Sequence, residues 1–305
     1  MKKQIMSVAL LTLNCIATLT SCKKTEHTTN STPVALQTIQ NDPNLKIFTA
    51  IEARAGDASL FTNGYTYLAP EDNAFISQGI TEIIADNMNQ ATCDSIIKYC
   101  TIPSIINFNG GNTETMVGTS ITGTDVFADS TTNAFYFNGV ATDGAPITAG
   151  SSVIYKLTDV PPLPSSSITA LVASDPNLSL FNEAMTRTNL TSNFISNNTY
   201  TLFMPTNTAF INAGYPDIAS IDAADINILT QLLLYHSLQN TFFSNDISLQ
   251  SSLTTLQGTS ISVDTTTGIL QLKGNSDPGE PAILLSKATV AGNVTAYKIN
   301  NVLLP

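Results

Sequence analysis

The chain of 305 residues carries the same pattern twice, and this duplication restricts its fold more than any other feature. Asp42-Pro43-Asn44-Leu45 recurs as Asp175-Pro176-Asn177-Leu178, and a Phe follows three residues after each Leu, at Phe48 and Phe181. Thr66-Tyr67-Leu68-Ala69-Pro70 with Ala74-Phe75 matches Thr201-Leu202-Phe203-Met204-Pro205 with Ala209-Phe210. Tyr99-Cys100 matches Tyr235-His236, and Gly118-Thr119-Ser120-Ile121 matches Gly258-Thr259-Ser260-Ile261. Tyr155-Lys156-Leu157 matches Tyr297-Lys298-Ile299. The offsets are 133, 135, 136, 140 and 142; they grow without reversing, as one duplicated unit with small length changes requires. Pro161-Pro162-Leu163-Pro164, followed by Ser165-Ser166-Ser167, marks a stiff junction between copies.

Each copy reads as α+β, with helices in its first half and strands in its second. Asp175 can cap a helix with Pro176 at its first position, where a missing N–H does no harm. Leu178, Phe181 and Met185 then share one helical face. Tyr200 to Met204 has the composition of a buried strand. Pro205 ends it, and Thr206 can cap the next helix; in copy one Glu71 or Asp72 can serve. A helix is expected over Asp225 to Leu238, with Leu229, Leu232, Leu233 and His236 on its apolar face. Residues 260 to 273 read as a hairpin around a Thr-Gly turn, and Val294 to Leu304 as the last strand.

The block Tyr200 to Phe210, the Tyr235-His236 pair at a helix end and the terminal Val302-Leu303-Leu304-Pro305 together resemble the fasciclin (FAS1) domain. The resemblance spans 165–305 and, in a more divergent form, 36–164, where the pair has become Tyr99-Cys100. It implies two tandem domains, each a wedge of short helices packed on a twisted β-sheet. Pro70, Phe75, Pro205 and Phe210 carry the structural motif. The family also implies extracellular adhesion, with partner binding assigned to the region of Tyr235 and His236, and of Tyr99 in copy one. A competing reading treats His236 as architectural, because Cys100 stands at its position in copy one and behaves as a small buried hydrophobe.

The N-terminus reads as an export signal over residues 1–21: Lys2 and Lys3, an apolar stretch from Ile5 to Leu19, then Leu19-Thr20-Ser21-Cys22. That tetrapeptide resembles a bacterial lipobox, which makes Cys22 the acylated residue; an ordinary secretory signal with an incidental Cys is the alternative. Residues 22–35 then form a polar tether. Lys23 after the Cys, in place of Asp, points to the outer membrane. Cys93 and Cys100 fall seven residues apart on an expected helix, which rises about 10.5 Å between them, too far for a disulfide. They are expected to be free buried thiols.

The formal net charge of −11 offers no basic patch for nucleic acid. Only His27 and His236 are present, and His27 lies in the tether, so no triad or histidine-based metal site is expected. Neither a nucleophile elbow, a phosphate loop nor a cofactor motif occurs. The expectation is a non-catalytic, cofactor-free surface lipoprotein that binds a protein or polysaccharide. A glycan-binding accessory of a polysaccharide-uptake system is the second reading; the absence of Trp weakens it.

Overall fold

The computed structural model describes residues 32–107, 115–130, 135–194, 197–276 and 279–305. The export signal, Cys22 and the tether up to residue 31 lie outside them. No described helix is long and apolar enough to cross a membrane.

Both copies use one topology. In the first, Thr101–Ile102, Thr66–Pro70, Ser152–Leu157 and Ile147–Ala149 lie side by side in that order; in the second, Ser237–Gln239, Tyr200–Pro205, Val294–Ile299 and Thr289–Ala291 repeat the arrangement. Each central pair is parallel, Thr66 opposite Val153 through Pro70 opposite Leu157, and Val294 opposite Tyr200 through Ile299 opposite Pro205. A second, antiparallel four-stranded sheet forms the excursion between them, from Thr115–Thr119 to Val140–Ala141 and from Ser252–Thr254 to Ala282–Ile283. Every residue of Thr66–Pro70 and Tyr200–Pro205 is buried, as befits parallel strands covered on both faces. Pro70 and Pro205 cannot donate to the ladder, so the next residue does: Glu71 N–H reaches Leu157 O at 3.0 Å and Thr206 N–H reaches Ile299 O at 3.1 Å.

The helices owe their limits to side chains from distant blocks. Lys46–Ala55 turns Ile47, Phe48, Ile51 and Ala55 inward and ends at Gly56, whose φ of 75° suits glycine. Its Ile47 N–H is capped by Asp72 Oδ1 at 2.8 Å; in copy two Asn207 Oδ1 caps Leu180 N–H at 3.0 Å. Phe75 and Phe210, one turn beyond these capping residues, are fully buried, and Phe210 packs against Phe181 at 6.4 Å between ring centroids. The repeated Asp-Pro-Asn-Leu and Tyr-Lys motifs also meet. Lys298 Nζ lies 3.0 Å from Asp175, while Lys156 reaches Glu71 at 2.7 Å and Asp42 at 4.0 Å.

Several elements differ from the sequence expectation. Val34 and Ala35, assigned to the tether, begin the helix Val34–Asn41, because Ala35 and Leu36 are buried. The helix expected to run to Leu238 is Ile226–Tyr235; Ser237–Gln239 pairs with Tyr200–Leu202 instead, so strand pairing overrides helical periodicity. The last strand stops at Ile299, not Leu304, once Thr206 has taken its carbonyl. Gly118 is not the counterpart of Gly258. Gly258 occupies a turn with φ 106° and donates to Thr255 O; in copy one Gly123, with φ 82°, donates to Ser120 O in the matching turn. Positive φ selects glycine there, whereas Gly118 lies within a strand. The true offset at this turn is therefore 135, and the offsets do not grow monotonically.

Each copy has its own apolar core, yet residues Pro33–Pro305 form one compact unit. Phe127 of copy one packs on the fully buried Phe243 of copy two at 6.3 Å between centroids, with Val290 beside them. Gly139 faces that contact with φ 74°, and a Cβ on it would sit 2.8 Å from Phe243 Cβ. Gly139→Ala is therefore expected to lower stability by about 1–3 kcal/mol through backbone strain and overpacking. Thermal unfolding checks this; an unchanged Tm contradicts the contact.

Candidate functional site

The Tyr-His motif closes the end of the helix Ile226–Tyr235 in copy two. His236 is 0% exposed. Its Nδ1 lies 2.8 Å from Leu232 O, and its Nε2 accepts the N–H of Leu303 at 2.9 Å. A carbonyl on one side and an N–H on the other leave one tautomer that satisfies both, with the proton on Nδ1. Burial lowers the imidazole's pKa to about 4 against the opposing pull of the Leu232 carbonyl, so the ring is neutral. The His236 carbonyl accepts from Phe203 N–H at 2.9 Å. One residue thus ties the helix end, the central strand and the terminal segment together. Tyr235 is equally enclosed: its hydroxyl donates to Ser260 O at 2.9 Å and accepts from Asn275 N–H at 3.2 Å.

Copy one solves the same corner without histidine. By the offset that relates Tyr155 to Tyr297, the position matching Leu303 is Pro161, which has no N–H to donate. No acceptor is needed, and the buried thiol of Cys100 fills the place of the imidazole. Burial pushes that thiol up to about 12. Cys93 is likewise a buried free thiol. Tyr99 is also buried; its hydroxyl accepts from Asn138 Nδ2 at 2.9 Å, and Asn138 Oδ1 accepts from Phe127 N–H at 2.8 Å. Desolvation raises the Tyr99 phenol to about 12. Tyr99 therefore supports the turn that carries Gly139 against copy two.

Two tandem units, each with a buried Tyr at the end of the same helix and a first strand paired in parallel to its last, characterise both halves. A family model, the Fasciclin domain, matches residues 43–160 and 176–305. The chain belongs to the fasciclin family. Among solved structures it is similar to the FAS1 domain pair of the insect cell adhesion molecule Fasciclin I, with 15% identity and a TM-score of 0.42 over 89% of this chain and 96% of that chain. No curated protein matches it. Fasciclin domains are associated with adhesion, mediate interactions with other proteins or matrix, and are generally non-catalytic.

The two fasciclin domains enclose a cleft of about 610 Å³. Gln78 and Asp159 of domain one face Lys287, Lys298 and Asp175 of domain two across it, and Met204 lies at its apolar side. Lys287 and Asp159 form an ion pair between the domains, and Gln78 Nε2 donates to Asp159 Oδ1 at 3.3 Å. Asp175 is held below its ordinary range: burial opposes this, but the Asn177 N–H and the Lys298 ammonium outweigh it. Such a cleft offers paired charges and hydroxyls for binding. The candidate site residues Tyr235, His236 and Tyr99 do not line it. Sequence reasoning missed Lys287 and Asp159, which belong to no repeated block; the Lys of the repeated Tyr-Lys motif was the available signal. Among the described residues no cluster of three or more His, Cys, Asp or Glu is placed to hold a metal ion.

The His236 geometry fixes a pH dependence. The unfolded imidazole titrates near 6.5 and the folded one near 4, so between these values the unfolded chain binds more protons. Stability is whole above pH 6.5 and falls with acidification, by about 3 kcal/mol across that window. His236→Gln, which can still accept from Leu303, removes this proton linkage. Its denaturant midpoint is expected to drop less than the wild type's between pH 7 and pH 4.5; equal drops contradict the assignment.

Proposed function

We propose that this protein is a non-catalytic adhesion lipoprotein of the bacterial envelope, anchored through acylated Cys22 and binding a protein or polymer partner with its fasciclin domains. The observation that carries this reading is the tandem fasciclin match, since the family works by binding. The paired acyl chains of a bacterial lipoprotein suffice for stable attachment where one chain is marginal. An acidic chain gains nothing from an anionic membrane by charge, so the lipid must hold it.

The partner surface in this proposal lies outside the Tyr-His corner. Tyr235, His236 and Tyr99 hold the frame. Exposed isoleucines supply apolar surface on both domains: Ile76 and Ile211 occupy matching positions, and Ile83 and Ile218 are exposed on the helices that follow, Glu82–Asp86 and Ile218–Ala223. A buried His236 with both ring nitrogens engaged is unavailable as a general base, which supports binding over catalysis.

Fractionation and adhesion assays test the proposal together. Cys22→Ala is expected to move the protein from the membrane to the soluble fraction. Deleting the gene is expected to reduce attachment of whole cells to protein- or polysaccharide-coated surfaces, and the wild-type copy to restore it. Ile83→Asp with Ile218→Asp should leave the fold and the anchor intact and lower attachment severalfold. A membrane-bound Cys22→Ala protein defeats the anchor; attachment indifferent to deletion defeats the adhesion role.

A further inference from the structure

The junction between the domains buries two facing carboxyl groups. Asp129, on the strand Asp125–Ser130 of domain one, is 1% exposed; Asp246, on the helix Ser244–Ser248 of domain two, is 7% exposed. Asn245 Nδ2 donates to Asp129 Oδ2 at 2.6 Å. Asp129 Oδ1 is buried and no protein donor serves it. The Asp246 carboxyl stands within hydrogen-bonding range of Asp129 and is anchored in turn, its Oδ2 accepting from Phe243 N–H at 3.0 Å. Phe127, Phe243 and Val290 form the apolar wall beside the pair. The other titratable groups near Asp129 are the phenol of Tyr136, opposite it on the strand Phe135–Phe137, and Asp125 at the start of its own strand. Among the described residues the charge that acts on Asp129 is that of Asp246.

Two carboxylates at hydrogen-bonding range in a dry site cannot both be ionised without strong repulsion. One proton between them turns that repulsion into a charge-assisted hydrogen bond and gives the unserved Asp129 carboxyl a role as donor. We propose that Asp129 and Asp246 share one proton and act as a pH-sensitive latch, closing the junction of the two fasciclin domains when the proton is present and loosening it when the proton leaves. The electrostatics agree with the geometry. Burial first, then the charge and hydrogen bond of Asp246, raise Asp129 to about 7, while Asn245 opposes. A carboxyl raised in the closed state contributes fully at acid pH, and the contribution is lost as pH rises towards and through 7. This is the opposite sense to His236, so the fold and the junction respond to pH in different directions. An acid surrounding closes the pair of domains, and an alkaline one frees them to reorient.

The test uses the full chain, in chelator, from pH 5.5 to 8.5. Small-angle scattering gives the radius of gyration, and amide exchange, corrected for its intrinsic pH dependence, gives protection of residues 125–130 and 244–248. Circular dichroism reports whether each domain stays folded. For the wild type, the radius should grow and protection at these segments should fall as pH rises to 7, by up to roughly tenfold per pH unit, and both should level off above 7, with the dichroism unchanged. Asp129→Asn supplies a permanent donor and should remain compact and protected at pH 8.5. Asp246→Asn, which can still accept from Phe243 and donate to Asp129, should do the same and stands in if the first variant misfolds. A wild type without a transition overturns the latch, as does a transition that survives in the Asn variants. If calcium restores compactness of the wild type at pH 8.5, a cation bridges the carboxyls and the shared proton is wrong.

Discussion

Each fasciclin domain is held shut by a parallel ladder between its first long strand and its last. Tyr200–Pro205 pairs with Val294–Ile299, and Thr66–Pro70 with Ser152–Leu157. Parallel strands need a long crossover, and here the crossover is most of the domain. The helices pack on one side of it, and the second sheet is an excursion along it. The polar contacts gather on this ladder. Thr66 and Thr201 accept from Ile106 and Phe242, and the hydroxyls of Tyr155 and Tyr297 donate to the carbonyls of those same two residues. The next residue in each case, Lys156 or Lys298, reaches the carboxylates near the first helix. A Tyr-Lys dipeptide on alternating faces of one strand thus fastens both layers.

The blocks that repeat in the sequence are the ones that touch in space, and this is why so much was legible. Asp175 and Lys298 recur with Asp42 and Lys156 because each pair spans the closed ladder. Periodicity also placed Leu229, Leu232, Leu233 and His236 inward, and all four are buried. What local pattern cannot express is a choice made by a distant partner. Ser237 to Gln239 continues a helical pattern but pairs with Tyr200 to Leu202. Gly118 resembles Gly258 in its neighbours but not in its backbone, since Gly258 and its true counterpart Gly123 sit at turns with positive φ and Gly118 does not. Asn245 and Asp129 lie 116 residues apart and meet only because the two domains pack as they do.

The Tyr-His motif shows how a family signature can be architectural at one end and dispensable at the other. His236 exists to accept the Leu303 N–H and to donate to Leu232. Where proline removes the N–H, at Pro161, cysteine replaces the histidine. The residue type follows the hydrogen-bond inventory of the corner, and a buried polar group persists only where it has a partner. In the proposed reading, partner binding is then left to the outer faces and to the geometry between domains, where Phe127 packs on Phe243.

Native-state amide exchange, resolved by residue, measures the closing ladder most directly. If the ladder governs each domain, the amides of 200–205 and 294–299 exchange last and together, with the free energy of global unfolding, and those of 66–70 and 152–157 do the same in domain one. Slower exchange in the hairpin of 260–273, or helices that stay protected after the ladder has opened, would contradict this.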